Sequence, residues 1–410
     1  MSAPVFVLGG FMTDFGRNYS REGLGVDALL GDAVRGALEE CGVAPGALDA
    51  SHVGNFTAEL FCRQGQLGGI LASLHPDLAG IPSARHEAAC ASGSVALLAA
   101  TAEIEAGRYD RVLVAGVEQM RNVDGGTAAD YLGCAAWTGR EAEDARYVWP
   151  ALFSRVADEY AERFGLDRAH LAEVSRIDLE NAQRNPRAQT RKWSLSEAMY
   201  GIDDAHNAVV EGRLRKQDCG RITDGAAAVV LASEAAATEW ARERGVSLDA
   251  VPRILGWGHR TAPMELEGKL AASRSGAWMF PHLRETLEDA WRRAGVAGAD
   301  DVDLLEVHDC FSITGYAIVD HLGLGDAPGD PRRPLEDGSL RRDGSLPMNP
   351  SGGLIGLGHP VGATGVRMLL DCASQVRGAA GETQVDGARR AQTLNIGGSA
   401  TTTVSFVVGT

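Results

Sequence analysis

Seven cysteines, at 41, 62, 90, 134, 219, 310 and 372, are spread over 410 residues without a single C-x-x-C pair. That scatter excludes a zinc framework and a disulfide-stapled scaffold and points to a reducing compartment. No stretch approaches the roughly 20 apolar residues of a membrane-spanning helix. Basic residues are short: 39 Lys and Arg face 55 Asp and Glu, and no basic tract offsets the net charge of −16, which excludes a general nucleic-acid binder. Three catalytic or cofactor words are also missing. There is no G-x-S-x-G elbow of a serine hydrolase. The densest glycine run never meets G-x-G-x-x-G and lies far from the N-terminal βαβ unit, against a dinucleotide loop. The word His86-Glu-Ala-Ala-Cys90 ends in cysteine where a zincin needs its second histidine, so no metal site is expected. The opening MSAPVFVLGGF predicts no signal peptide, and the closing SFVVGT carries no peroxisomal tripeptide. A soluble, cytoplasmic protein is therefore expected.

What is present is an ordinary core composition, 45% hydrophobic and 23% charged, with an unusual 51 glycines. Short β-branched runs alternate with Ala/Leu-rich helical stretches, the pattern of a layered α/β fold. The pattern runs twice. PVFVLGG, GVDALLGDAVRGALEECG and RVLVAGVEQM give strand, helix, strand in the first half; PRILGWG, FPHLRETLEDAWRRAGV and VDLLEVHDCF repeat it from residue 251. Residues 120–220 differ in texture, with more Arg, Trp, Tyr and Asp, and read as an insertion. The boundaries that follow are 1–119 with 221–250 for the N-terminal half, 120–220 for the inserted loop domain, and 251–410 for the C-terminal half. If the halves superpose, Cys90 and the segment from His359 occupy equivalent helix starts facing one composite site.

Three words carry chemistry. Cys90 stands among small residues at the start of an Ala-rich helix, where the helix dipole and unpaired N–H groups favour the thiolate; a small buried thiol is the plain alternative. Ser351 to Gly365 holds glycines at 352, 353, 356, 358, 362 and 365 around His359, a base or hydrogen-bond donor presented on a tight loop. Val307-His308-Asp309-Cys310-Phe311 puts a histidine, an acid and a thiol at a strand end.

Together, Cys90-Ala91-Ser92 (CxS), HDCF at 308–311 and GHP at 358–360 resemble the thiolase family, in particular its sterol-carrier-protein-2-type, lipid-transfer branch, along essentially the whole chain. The resemblance implies two βαβαβαββ halves in a five-layered α/β/α/β/α body with an inserted loop domain, assembled as a dimer or tetramer. It implies a coenzyme A thioester as substrate and no tightly bound cofactor. Cys90 would be the acyl-accepting nucleophile and His359 its activator. The N–H groups of Cys90 and Gly397 would form an oxyanion hole, with Cys310 as acid/base and His308 in a second oxyanion site. One departure stands out: Asn395 occupies the place of the second cysteine that most thiolases carry in a CxGG motif.

For CoA, the basic cluster Arg184, Arg187, Arg191 and Lys192 is a candidate phosphate contact, with a solvated helix face as the alternative. Trp137, Trp149, Phe153 and Trp193 suggest apolar pocket walls. The function expected is a CoA-dependent acyltransferase or thiolase working by Claisen condensation or thiolytic cleavage. The alternatives are a retro-aldol lyase or C-acyltransferase, working with a small OB-fold partner, and a non-catalytic CoA/lipid-binding subunit.

Overall fold

The first strand already divides the molecule. Val5 and Val7 point into a buried layer with helices from both halves, while Phe6 and Leu8 point to the opposite face under the first helix, as the two-residue period of a strand requires. The computed structural model describes residues 3–410. Its large sheet is built from β1 (Val5–Met12), β2 (Ala50–Gly54), β3 (Ser83–His86), β4 (Arg111–Glu118), β5 (Gly225–Ser233), β6 (Arg253–Thr261), β7 (Leu304–Val307), β8 (Arg390–Gly397) and β9 (Thr402–Gly409). The helices that position the site are α1 (Val26–Cys41), α2 (Ser92–Glu105), α3 (Val148–Arg163), α4 (Arg168–Ala182), α5 (Pro281–Ala294), α6 (Ser312–Leu322) and α7 (Thr364–Val376).

The strand order is β3-β2-β4-β5-β1-β6-β9-β8-β7. In the first half β1 runs antiparallel to β5, β5 antiparallel to β4, and β4 parallel to β2. In the second half β6 runs antiparallel to β9, β9 antiparallel to β8, and β8 parallel to β7. The halves are the same motif, joined where β1 meets β6 through Val5–Ile254 and Phe6–Arg253.

α1 covers the outer face of the first half-sheet, and α5 packs on β6 and β9 of the second. Between the half-sheets lie α2 and α7, packed on one another and on strands of their own halves. This gives the expected α/β/α/β/α layering. β5 shows why it holds: Ala226, Ala228, Val230 and Ala232 serve the α1 side, while Ala227, Val229 and Leu231 serve the central helices. No helix among the described residues is long and apolar enough to cross a membrane.

The two halves differ in one connection. β8 and β9 are joined by the short turn at 398–401, whereas the equivalent β4 and β5 are separated by residues 119–224, which contain α3 and α4.

Candidate active site

Two loops converge between the half-sheets. Cys90 lies just before α2, and His359 lies before α7, at equivalent places in the duplicated motif. Their close approach needs backbone without side chains: a Cβ on Gly93 would fall 2.7 Å from the Gly362 carbonyl oxygen, and one on Gly362 2.6 Å from the Asn55 Cα. The Cys90 turn is fixed locally. Ala89 adopts a left-handed φ of 50°, costly for a residue with a Cβ. The Ala88 N–H donates to Ser92 Oγ at 2.9 Å, and that hydroxyl donates to the Ala89 carbonyl at 2.6 Å. Behind it, the buried carboxyl of Glu118 accepts from the N–H groups of Phe56 (2.9 Å), Thr57 (3.2 Å) and Gly362 (3.0 Å), tying the loop after β2 to the glycine loop. Burial lifts Glu118 to about 7 despite those donors.

Cys90, His308 and His359 offer ligating atoms that all lie within 4.8 Å of one another. The two rings meet edge to face at 5.1 Å. Each ring is held by its Nδ1. On His359, Nδ1 sits 2.7 Å from Thr364 Oγ1, which also lies 3.2 Å from the Pro360 carbonyl. A carbonyl can only accept, so the hydroxyl donates to it and Nδ1–H donates to the hydroxyl. Nε2 is left with a lone pair, and it is buried without a hydrogen-bond partner. On His308, Nδ1 lies 2.9 Å from Asn395 Nδ2. Ser94 Oγ donates to Asn395 Oδ1 at 2.8 Å, and in this orientation the amide turns its NH₂ towards the ring. With the amide so placed, His308 Nδ1 accepts and Nε2 carries the proton. Burial keeps both imidazoles neutral, His359 with a pKa lowered to about 3 and His308 well below the usual range, each further depressed by neighbouring positive charge. The same trio could offer ligands to a soft cation, but a protonated Nε2 on His308 suits a donor better than a ligand.

Cys310 is buried beside them, 3.7 Å from Thr314 Oγ1 at the start of α6. Burial raises its thiol well above the usual range, and the neighbouring Cys90 adds to this. Asp309 does not face the pair: its Oδ1 accepts from the Leu354 N–H at 2.8 Å and its Oδ2 is buried without a partner. Burial lifts it to about 7.

A cavity of about 370 Å³ opens onto Cys90, Cys310 and His359. Its walls are mainly apolar and come largely from residues 119–224, including Met120, Leu132, Val148, Trp149 and Phe153, with Phe56 and Phe311. Of the four aromatics expected there, Trp149 and Phe153 line it. Trp137 is 39% exposed, and Trp193 lies under the guanidinium of Arg221.

One expectation needs correction, and two others meet a different arrangement from the one the sequence suggests. Cys90 is not acidified by its helix: burial pushes the thiol up to about 12, outweighing the N–H groups of Gly398 and Cys90 that hydrogen-bond it. The strand-end N–H that reaches the thiol is thus that of Gly398, in a left-handed turn at φ 65°. Gly397 instead ends β8, where a Cβ would collide with the Ala88 carbonyl oxygen. The basic cluster does not border the cavity. Arg191 is paired with Asp14, Arg187 lies over the Phe11 ring, and Arg184 and Lys192 are exposed. The cations on the cavity wall are Lys216 and Arg221. Their signal in the sequence was position alone, in the segment leading into β5.

Residues 5–235 match the model of the thiolase N-terminal domain, and residues 267–410 that of the thiolase C-terminal domain-like family. The chain is 36% identical over 396 residues to an acetyl-CoA acetyltransferase of Methanothermobacter thermautotrophicus, covering 96% of each. It is 29% identical over 411 residues to human sterol carrier protein 2, covering 98% of this chain and 71% of the relative. Among solved structures, an Ltp2-ChsH2(DUF35) aldolase superposes with a TM-score of 0.77 at 19% identity, over 100% of this chain and 98% of the other. Human mitochondrial 3-ketoacyl-CoA thiolase in complex with CoA superposes with a TM-score of 0.67 at 18% identity, over 100% and 98%. At those identities the structural likeness speaks for the fold.

Proposed function

The chain belongs to the thiolase family and is a thiolase-type acyltransferase, and we propose that it works through an acyl-enzyme on Cys90, cleaving or forming 3-oxoacyl-CoA. The observation that carries this reading is the buried, unpartnered Nε2 of His359 beside the Cys90 thiol, a base with no other proton to take. Cys90 Sγ attacks the thioester carbonyl as its proton passes to His359 Nε2. The tetrahedral intermediate collapses with loss of the CoA thiolate, which takes that proton. With a thiol near 12 and an imidazole near 3, a resting ion pair is strongly disfavoured, so proton transfer accompanies attack.

Once the sulfur is acylated, the Cys90 and Gly398 N–H groups are free to hold the acyl oxygen, and His308 Nε2–H is the donor for the second thioester oxygen. In cleavage, Cys90 attacks the 3-keto carbon, the C2–C3 bond breaks, and Cys310 protonates the departing carbon. CoA then takes the acyl group from Cys90, its thiol proton passing to the Cys310 thiolate while His359 returns its proton to the Cys90 sulfur. Asn395, standing where most relatives have a cysteine, leaves Cys310 to move that proton.

A thiolysis assay across 3-oxoacyl-CoA chain lengths tests this, with covalent labelling read by intact mass. The expected result is turnover with an adduct that Cys90→Ala abolishes; an adduct that persists in that variant overturns the reading. The aldolase neighbour supports a second reading, retro-aldol cleavage with a small OB-fold partner, which expects turnover of a β-hydroxyacyl-CoA that survives Cys90→Ala. The exposed edge of β3 suits pairing with a second copy, in keeping with a homodimer.

A further inference from the structure

Arg221 is a guanidinium without a counter-ion on the wall of the catalytic cavity. Its segment is stitched to both reacting loops: Cys219 bridges to Phe311, the Gly220 N–H donates to the Cys310 carbonyl at 2.8 Å, and Ile222 bridges to His359. The side chain is held in place by neutral groups. Nη2 donates to Gln217 Oε1 at 2.6 Å, and the guanidinium lies 4.8 Å from the centre of the Trp193 ring. Gln217 is itself buried and anchored through its N–H to Asn207 Oδ1 at 3.0 Å.

Among the described residues no carboxylate answers it. Nε is buried without a partner, and no aspartate or glutamate lines the cavity. The fold treats its fully buried Arg367 differently, pairing it with Glu306 at 2.6 Å and Asp371 at 3.1 Å. Burying even part of a guanidinium without such a partner is costly, and here that happens on the wall of the cavity that opens onto Cys90. Lys216, exposed on the same wall, adds a second cation.

We propose that Arg221, assisted by Lys216, selects an acyl chain ending in a carboxylate, so that the substrate is a thioester of a dicarboxylic acid. This rests on the reading of the Cys90 cavity as the acyl-transfer site. The planar fork of arginine matches a carboxylate in two parallel hydrogen bonds, and the apolar walls suit the methylenes between the two ends. The phosphates of CoA are the other anion the substrate carries. They stand off the thioester by the whole pantetheine arm, whereas the Arg221 segment is bonded to the loops that hold Cys310 and His359.

The test compares kcat/KM for 3-oxoacyl-CoA substrates of equal length ending in a carboxylate or in a methyl group, in the wild type, Arg221→Gln, Arg221→Lys and Lys216→Gln. The wild type should prefer the carboxylate by roughly tenfold to a hundredfold, the range for a charge-assisted hydrogen bond. Arg221→Gln should collapse that ratio, Arg221→Lys should keep part of it, and Lys216→Gln should reduce it least. The ratio is internal to each variant, so a partly unfolded preparation does not mimic the effect. A wild type that turns over the methyl-ended substrate equally well overturns the carboxylate proposal and leaves acyl transfer standing. Turnover of neither substrate counts against acyl transfer itself, and the proposal falls with it. Pantetheine thioesters form the last arm: if Arg221→Gln penalises CoA thioesters but spares pantetheine thioesters whatever their far end, the arginine reads phosphate and the proposal is overturned.

Discussion

His308 and His359 meet edge to face at 5.1 Å, both buried and both neutral, yet their surroundings make opposite reagents of them. The His308 ring receives a hydrogen bond from Asn395, whose Oδ1 accepts from Ser94; the His359 ring gives one to Thr364, whose hydroxyl is committed to a carbonyl. One Nε2 therefore offers a proton and the other a lone pair. The difference lies in the neighbours of Nδ1, and it divides the work between an oxyanion donor and a base with neither ring charged.

The largest break in this comparison is removal of the base. His359→Ala should lower the rate of Cys90 acylation by roughly 10²–10⁴-fold, measured by rapid quench, while binding of CoA persists. Asn395→Asp comes next, and its sign depends on pH. A carboxylate at 395 accepts from Nδ1–H and raises the His308 pKa. At low pH the imidazolium still donates from Nε2; as pH rises through the raised value, Nε2 loses its proton and the donor is lost. Activity should then fall on the alkaline side by roughly 10²-fold, as for loss of an oxyanion donor, a limb the wild type lacks because its His308 is already neutral. Asn395→Ala, by contrast, should weaken activity without creating that limb.

Thr364→Val is smaller. It frees the His359 Nδ1–H without removing the base, and a loss of about tenfold, the scale of one hydrogen bond, is expected in kcat. The last test, which changes no residue, is a pH dependence. With the Cys90 thiol near 12, alkylation by iodoacetamide should climb about tenfold per pH unit through neutrality, following the thiolate fraction. A plateau below pH 8 would show a resting thiolate and erase the distinction between a neutral pair and an ion pair.

The residues of this site were legible as words: CxS, HDCF and GHP name Cys90, His308, Cys310 and His359, and the doubled strand–helix pattern anticipated two loops facing one another. What was not legible depends on partners distant in sequence. Arg191 looked free beside Arg187 and Lys192, but its carboxylate is Asp14, 177 positions away. The cations that do border the cavity are carried by a segment whose place is set by bridges to Phe311 and His359. The helix start before α2 suggested an acidic thiol, yet the same layering that brings the loops together excludes water, and desolvation outweighs the N–H groups. The choice between Gly397 and Gly398 turns on which residue leaves the strand, a one-residue question of backbone conformation that composition does not reveal.

Imidazole ¹⁵N spectra of the resting enzyme, assigned with His308→Asn and His359→Asn, test the division of roles most directly. Opposite tautomers should appear at neutral pH, His308 protonated on Nε2 and His359 on Nδ1, with neither ring an imidazolium. The same tautomer on both rings, or a charged His359, would contradict it.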